Sequence, residues 1–389
     1  MRLGWTRWTV NETQKSTIYL GIMSGTSLDG LDGVAINIER TPLEVLEHRH
    51  HAWPEDVALS LLHIAEGRPI TIEHLLRASQ DVSEAYVRLA QSLLSSIDRT
   101  AVKALGMHGQ TVWHQPPEDG RLGYSLQLGS PAWVSARIGF PVVGDFRTAD
   151  MALGGQGAPL VPHAHHLIFS HPDEGRAVVN LGGIANLTGL FPGQMIWASD
   201  TGPANMLMDD LARHFSKGRL SFDPEGAHAA AGRNHPEILA QLLADPFFER
   251  PFPKSTGRER FGRHFAKSLY HLSWEDASHT AGQLTVEGVR RAVAALPRVP
   301  TRVIVAGGGA NNAWLLSQLA LALDPVIVER SSDHGIDPIH LEAIAFALLA
   351  QARIHGQPAN LPSATGASAP VLLGVVADSR FLLGSPSAG

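Results

Sequence analysis

The sequence predicts an α/β protein of two duplicated lobes with a ligand cleft between them, and three observations predict it. One order of elements, an antiparallel meander followed by strands added through helices, occurs twice along the chain. Each occurrence carries turns rich in glycine and hydroxyl residues beside an acid. The 389 residues also exceed one small core, at roughly 150 residues per domain.

In the first lobe, 17–23 reads as an apolar strand, 24–30 as a Gly/Ser/Asp turn, and 33–39 as a strand of β-branched alternation. A third strand at 43–51 completes the meander. The period then changes: 57–64 and 72–97 repeat apolar residues at helical spacing, parted by Glu66-Gly67-Arg68-Pro69. A strand at 103–108, a helix at 131–138, a strand at 141–144 and a helix at 159–169 follow.

After the turn-rich Ser170-His171-Pro172-Asp173 the order restarts. Strands at 176–181, 184–190 and 194–199 precede helices at 205–215, 235–243, 261–274 and 277–296. A strand (302–305), a helix (312–321), a strand (325–329) and a long helix (338–354) complete the second lobe. The implied domains are an N-terminal arm (1–16), two lobes (17–171 and 172–369) and a C-terminal tail (370–389).

Composition narrows the function. Thirty-one basic and 37 acidic side chains, scattered in both signs, leave no footprint for nucleic acid. The absence of cysteine excludes a disulfide scaffold, a thiolate zinc site and a cysteine nucleophile. Residues 1–16 lack the apolar run of a secretory signal, and no window reaches about 18 consecutive apolar residues. The expectation is a soluble, cytoplasmic protein without membrane partners.

The sharpest motif is Met23-Ser24-Gly25-Thr26-Ser27-Leu28-Asp29-Gly30-Leu31-Asp32-Gly33. Glycines let backbone approach a ligand, Thr26 and Ser27 offer hydroxyls, and unblocked N–H groups form an anion nest. Two carboxylates would repel bare phosphate, so they make better sense with Mg²⁺ between. The bland alternative is an ordinary hairpin turn. It is not a P-loop, because Leu31-Asp32 stands where Lys-Ser/Thr belongs. In the second lobe Asn180-Leu181-Gly182-Gly183 and Asp200-Thr201-Gly202-Pro203 repeat the chemistry, or else Asp200 simply caps a helix.

Gly307, Gly308 and Gly309 follow a strand, where a purine or ribose fits against bare backbone. Asp145 ends a strand, the usual ligand edge of an α/β sheet, and suits proton removal; Arg147 either positions an anion or pairs with an acid. His108 and Gln110 end another strand within reach of a polar ligand. His163 and His166 share a helix face, but no partner carboxylate motif supports a metal there.

Together these segments resemble the anhydro-N-acetylmuramic acid kinase family, within the hexokinase and actin superfamily, from about residue 18 to 374. The likeness rests on motifs at 23–30, 108–111 (His-Gly-Gln-Thr), 145–147 (Asp-Phe-Arg), 154–162 and 180–186. It continues at 200–203, 254–259 (Lys-Ser-Thr-Gly-Arg-Glu), 307–310 and 361–367. It implies actin/hexokinase-like, ribonuclease H-like lobes, and an ATP-dependent kinase of cell-wall recycling. Such an enzyme opens 1,6-anhydro-N-acetylmuramic acid with water and phosphorylates O6, giving N-acetylmuramic acid 6-phosphate and ADP.

By that likeness Asp145 is the base that activates water. Gly25, Thr26, Ser27, Leu28, Asp29, Gly30, Leu31 and Asp32 hold ATP phosphates, with Asp29 assisting Mg²⁺. Asp200, Thr201 and Gly202 meet the phosphates from the second lobe, and Gly307, Gly308 and Gly309 flank adenosine. His108, Gln110, Arg147 and Glu342 face the sugar; Glu342 is otherwise a helix N-terminal acid. The likeness also implies a homodimer. Two departures stand out: Gly144 where Ala is frequent, and Asp223-Pro224-Glu225-Gly226 for a commoner Asp-x-Asp-Gly, which leaves that loop's role open. An actin-like conformational ATPase and a kinase of ordinary hexoses are the competing readings.

Overall fold

The computed structural model describes residues 16–379 apart from Thr26, Ser27, Asp29, Thr41 and Asp119. Most of the expected N-terminal arm, and 380–389 of the expected tail, lie outside the described residues. Two compact units divide the chain, one within Met1–Leu153, Ala343–Asn360 and Pro370–Gly389, the other within Gly154–Glu342 and Leu361–Ala369.

The first unit is built on β1 (Ile18–Ser24), β2 (Gly30–Asn37), β3 (Glu44–Ala52), β4 (Val102–Met107), β5 (Gln110–Gln115), β6 (Tyr124–Leu128) and β7 (Val142–Gly144). Its main sheet runs β7-β4-β1-β2-β3, with Val375–Ala377 antiparallel outside β7. β1, β2 and β3 are antiparallel, whereas β4 and β7 add parallel to β1. Because side chains alternate along a strand, Ile18, Leu20 and Ile22 all join one core with Val82, Tyr86, Leu89 and Leu93 of the helix Ile72–Leu94. Thr71 caps that helix by accepting the His74 N–H.

The opposite face presents Gly21 and Gly106, and the helix residues from Ala343 onward pack there. A Cβ on Gly21 would stand 2.0 Å from the Ala343 carbonyl oxygen, and one on Gly106 1.9 Å from that of Phe346. Only glycine admits this approach of helix backbone to strand backbone.

The second unit contains β8 (Arg176–Leu181), β9 (Ile184–Leu190), β10 (Trp197–Pro203), β11 (Arg302–Ala306) and β12 (Ile327–Arg330). Its sheet order is β12-β11-β8-β9-β10, antiparallel from β8 to β10 and parallel from β8 to β12. That is the order and sense of β7-β4-β1-β2-β3, so the repetition expected from sequence is present in the sheet topology. The helices Trp274–Ala294 and Ala313–Leu323 bury Val286, Val289, Leu315 and Leu319 against Val179, Leu187 and Val305.

Three differences from expectation bear on the candidate site or its neighbourhood. The strand placed at 194–199 continues through Pro203, because a bulge between Asp200 and Gly202 keeps Asp-Thr-Gly-Pro in the ladder. The helix expected over 261–274 is broken at Gly262, and Ser273 starts a new one by accepting the Asp276 N–H. The hairpin of β5 and β6 was not anticipated. Among the described residues no helix is long and apolar enough to cross a membrane.

Candidate functional site

In the first unit the ends of β1, β4 and β7 bring the candidate residues together. His108, just past β4, is buried, and its Nδ1 lies 3.0 Å from the Ser24 carbonyl, while its Nε2 lies 2.9 Å from Arg147 Nη2. A carbonyl only accepts and a guanidinium only donates, so the ring is the neutral Nδ1–H tautomer. Burial, then the Arg147 charge, pushes the His108 pKa down to about 3. Burial lowers that of Arg147 to about 10 against the opposing pull of Asp145.

Gln110 is buried as well. Its Oε1 accepts from Ser24 Oγ at 2.5 Å, and its Nε2 donates to the carbonyls of Gly25 and Thr111 at 3.3 and 3.2 Å. His108 and Gln110 thus tie the junction of β4 and β5 to the start of the glycine turn.

Asp145 follows β7 with a φ of +54°, a conformation uncommon outside glycine, and its Oδ1 accepts the Thr148 N–H at 3.1 Å. The next side chain, Phe146, is buried against Phe346, whose ring also lies 4.8 Å from that of His108. Asp145 and His108 line one pocket of about 180 Å³ with Ser125, Gln127 and Thr148. The hairpin residues Ser125 and Gln127 were missed in the sequence, where only a strand alternation over 124–128 could have pointed to them.

Of the glycine turn, Thr26, Ser27 and Asp29 lie outside the described residues. Leu28 takes φ +60° and packs its side chain against the core, while Leu31 is buried in it. Gly30 opens β2 so close to β3 that a Cβ would meet the His51 carbonyl at 2.5 Å. Asp32 Oδ1 lies 3.0 Å from His50 Nδ1 and 3.4 Å from His48 Nε2. Burial alone would raise its pKa, but the hydrogen bonds from both imidazoles outweigh that and lower it.

In the second unit two constellations form. Asp200 Oδ2 accepts the Thr256 N–H at 2.8 Å, Ser255 Oγ donates to Gln156 Oε1 at 2.8 Å, and Gln156 N–H donates to the Thr365 carbonyl at 2.8 Å. Four motifs far apart in sequence therefore meet. Thr201 turns its hydroxyl inward to the Ala185 carbonyl, and Gly202, at φ +137°, passes close to the Phe248 ring.

The other constellation joins Asn180, Gly307, Gly308, Gly309 and Glu342. Asn180 Nδ2 donates to Glu342 Oε1 at 3.2 Å. Gly307, at φ +78°, leaves no room for a Cβ beside Asn180 Oδ1 and the Leu181 carbonyl, whereas a Cβ on Gly308 would stand 3.6 Å from Asn205 Nδ2. The glycine backbone after β11 is therefore held against the turn after β8.

The first unit offers a strand-end carboxylate, Asp145, in one pocket with His108, and the second unit offers exposed glycine backbone at Gly308 after β11. The chain belongs to the anhydro-N-acetylmuramic acid kinase family, whose model matches residues 17–379. It is 42% identical over 374 residues to the anhydro-N-acetylmuramic acid kinase of Gloeobacter violaceus, covering 92% of this chain and 98% of that one. It is 41% identical over 388 residues to the enzyme of the same name from Salinibacter ruber, covering 91% and 94%. Among solved structures it is similar to the activator of 2-hydroxyisocaproyl-CoA dehydratase from Clostridium difficile, at 13% identity and a TM-score of 0.44, covering 87% of this chain and 97% of that one.

Proposed function

We propose that this protein is an ATP-dependent kinase that opens 1,6-anhydro-N-acetylmuramic acid with water and phosphorylates O6, serving peptidoglycan recycling. The observation that carries the mechanism is Asp145, a strand-end carboxylate sharing a pocket with His108. Asp145 takes a proton from water as the water oxygen bonds to the anomeric carbon. The bond from that carbon to O6 breaks, and O6 with its electron pair attacks the γ-phosphorus, releasing ADP. One base and one water thus make the acceptor nucleophile without deprotonating a separate hydroxyl.

The neutral His108 and the charged Arg147 form the sugar-side polar wall in this reading, with Glu342 as a further sugar contact. For Gln110 the support is indirect, through its grip on Ser24 and Gly25. Gly25 to Asp32 and Asp200 to Gly202 are the proposed phosphate residues, and Gly307 to Gly309 the adenosine residues.

Mg²⁺ belongs to the proposal too. Among the described residues no group of three or more His, Asp or Glu gathers as a metal cage. Mg²⁺ needs none, because one or two carboxylates plus substrate phosphates hold it. Asp200, oriented by the Thr256 N–H, fits that demand, and Asp29 is the second candidate. The ion's contribution when bound is to neutralise charge on the transferring phosphate. A homodimer located in the cytoplasm completes the proposal, supported by the family resemblance.

The test is a coupled ADP-release assay with Mg-ATP and the anhydro-sugar in ¹⁸O-labelled water, quenched early for mass spectrometry. The expected result is one ADP per sugar 6-phosphate, with the label in the sugar. Label in inorganic phosphate, with ADP release indifferent to sugar, would instead identify a conformational ATPase.

A further inference from the structure

Lys254, the first residue of the Lys-Ser-Thr-Gly-Arg-Glu motif, has a side chain that the mechanism leaves without a task, and its setting is unusual. It is only 4% exposed. Its Nζ donates to the carbonyls of Phe247, Arg250 and Phe248 at 2.9, 3.2 and 3.4 Å. The rings of Phe247 and Phe252 lie 4.5 and 4.2 Å from it. Among the described residues all its partners are neutral, a costly arrangement for an ammonium group. Burial, then Arg250 and Arg291, brings its pKa down to about 8.

What the ammonium secures is the peptide that carries it. Lys254 N–H donates to Ser199 Oγ at 2.9 Å, and its carbonyl accepts from Asp200 N–H at 2.9 Å and Ser199 Oγ at 3.1 Å. Two residues on, the Thr256 N–H holds Asp200 Oδ2. The segment 254–256 is therefore laid along the bulged end of β10 so that one backbone donor fixes the direction of one carboxylate.

We propose that Lys254 is a positioning residue for Asp200: by binding the 247–250 carbonyls it locks the 254–256 backbone, and through Thr256 it orients the Asp200 carboxylate toward the nucleotide. This rests on the reading of Asp200 as a phosphate-side or Mg²⁺-side group. A carboxylate held by a rigid supporting shell is already oriented when ATP arrives; a loose one pays for its ordering in each binding event.

The test is a double-mutant cycle in the full chain with Lys254→Met and Asp200→Asn. Lys254→Met keeps the stem and removes the donors. The kcat and both KM values are measured for Mg-ATP and the anhydro-sugar on variants shown to be folded by circular dichroism. The expectation is that Lys254→Met lowers kcat/KM for ATP by about 10-fold or more, leaves the sugar KM within about 2-fold, and has no further effect in the Asp200→Asn background. Effects that multiply in the double variant would overturn the proposal, since Lys254 would then act elsewhere. So would a folded Lys254→Met with unchanged ATP parameters. Asp200→Asn with normal ATP kinetics would overturn the reading of Asp200 and the proposal with it. Should Lys254→Met not fold, Lys254→Gln, which retains an amide donor for the carbonyls, carries the same cycle.

Discussion

Arg147 Nη2 donates to His108 Nε2 at 2.9 Å, and this contact, with the burial of the ring, keeps the histidine neutral. With Nδ1–H given to the Ser24 carbonyl, the ring links the end of β4 to the glycine turn and leaves Arg147 as the cation beside Asp145. Arg147→Met would strand a buried imidazole acceptor, at about 1–3 kcal/mol. Sugar kcat/KM is expected to fall by roughly 10–100-fold, and Arg147→Lys to restore little, because an ammonium lacks the guanidinium fork. Steady-state kinetics with the anhydro-sugar decide it; full recovery in the lysine variant would assign Arg147 a role of bare charge.

Asp145, the proposed base, offers a cleaner substitution than most carboxylates. Its positive φ is one that asparagine tolerates, and asparagine Oδ1 still accepts the Thr148 N–H. Asp145→Asn should therefore keep the fold and the binding of both substrates while losing the base, lowering kcat by about 10²–10⁴-fold. Equilibrium titration with ATP and sugar, set beside turnover, separates the two effects. Near-normal turnover would remove Asp145 from the base role.

Much of this was legible in the sequence, and for identifiable reasons. The meanders were visible because alternation and glycine turns are local, and Asp145 because an apolar run delivers it to a sheet edge. The β5–β6 hairpin was not, since Gln110, His114 and Gln115 break the apolar alternation and Pro116-Pro117 reads as a connector. β10 was cut short because Asp-Thr-Gly-Pro carries turn chemistry, and only the bulge shows how it stays in the ladder. The pairing of Ser199 with Lys254 spans 55 residues, so no local pattern encodes it. For the same reason a lysine that composition would leave in solvent proves buried.

Buried histidines make the fold sensitive to acid. His108, His165 and His163 have pKa values pushed down by burial to about 3, 3 and 4. Unfolded, each takes its proton near 6.5, so below that pH the unfolded state binds more protons and stability falls as pH falls. The loss is absent at pH 7.5 and grows by up to about 1.4 kcal/mol per pH unit per histidine down to the folded value. His165 illustrates the cause: Nδ1 meets Thr188 Oγ1 at 2.9 Å, and Nε2 is buried with no partner among the described residues, so a proton there has no acceptor. Thermal melts at pH 7.5 and 5 should show His165→Gln losing about 2 kcal/mol less than the parent across that interval. Equal slopes would exclude His165 as a titrating group.

Gly106 tests the packing that stands beneath the site. A methyl group there would lie 1.9 Å from the Phe346 carbonyl oxygen and 2.6 Å from its carbon, both backbone atoms that no rotamer change can move aside. Gly106→Ala must push the helix Leu341–Ile354 off β4, at about 3 kcal/mol. For a unit of this size that corresponds to roughly 6–12 °C in melting temperature. The same helix supplies Phe346, which touches both the His108 ring and Phe146 beside Asp145. The folded fraction should therefore also show a raised sugar KM, since His108 and Asp145 move with their support. A variant that melts like the parent would show that helix and strand do not approach so closely in solution; one that melts early yet binds sugar normally would confine the contact to stability.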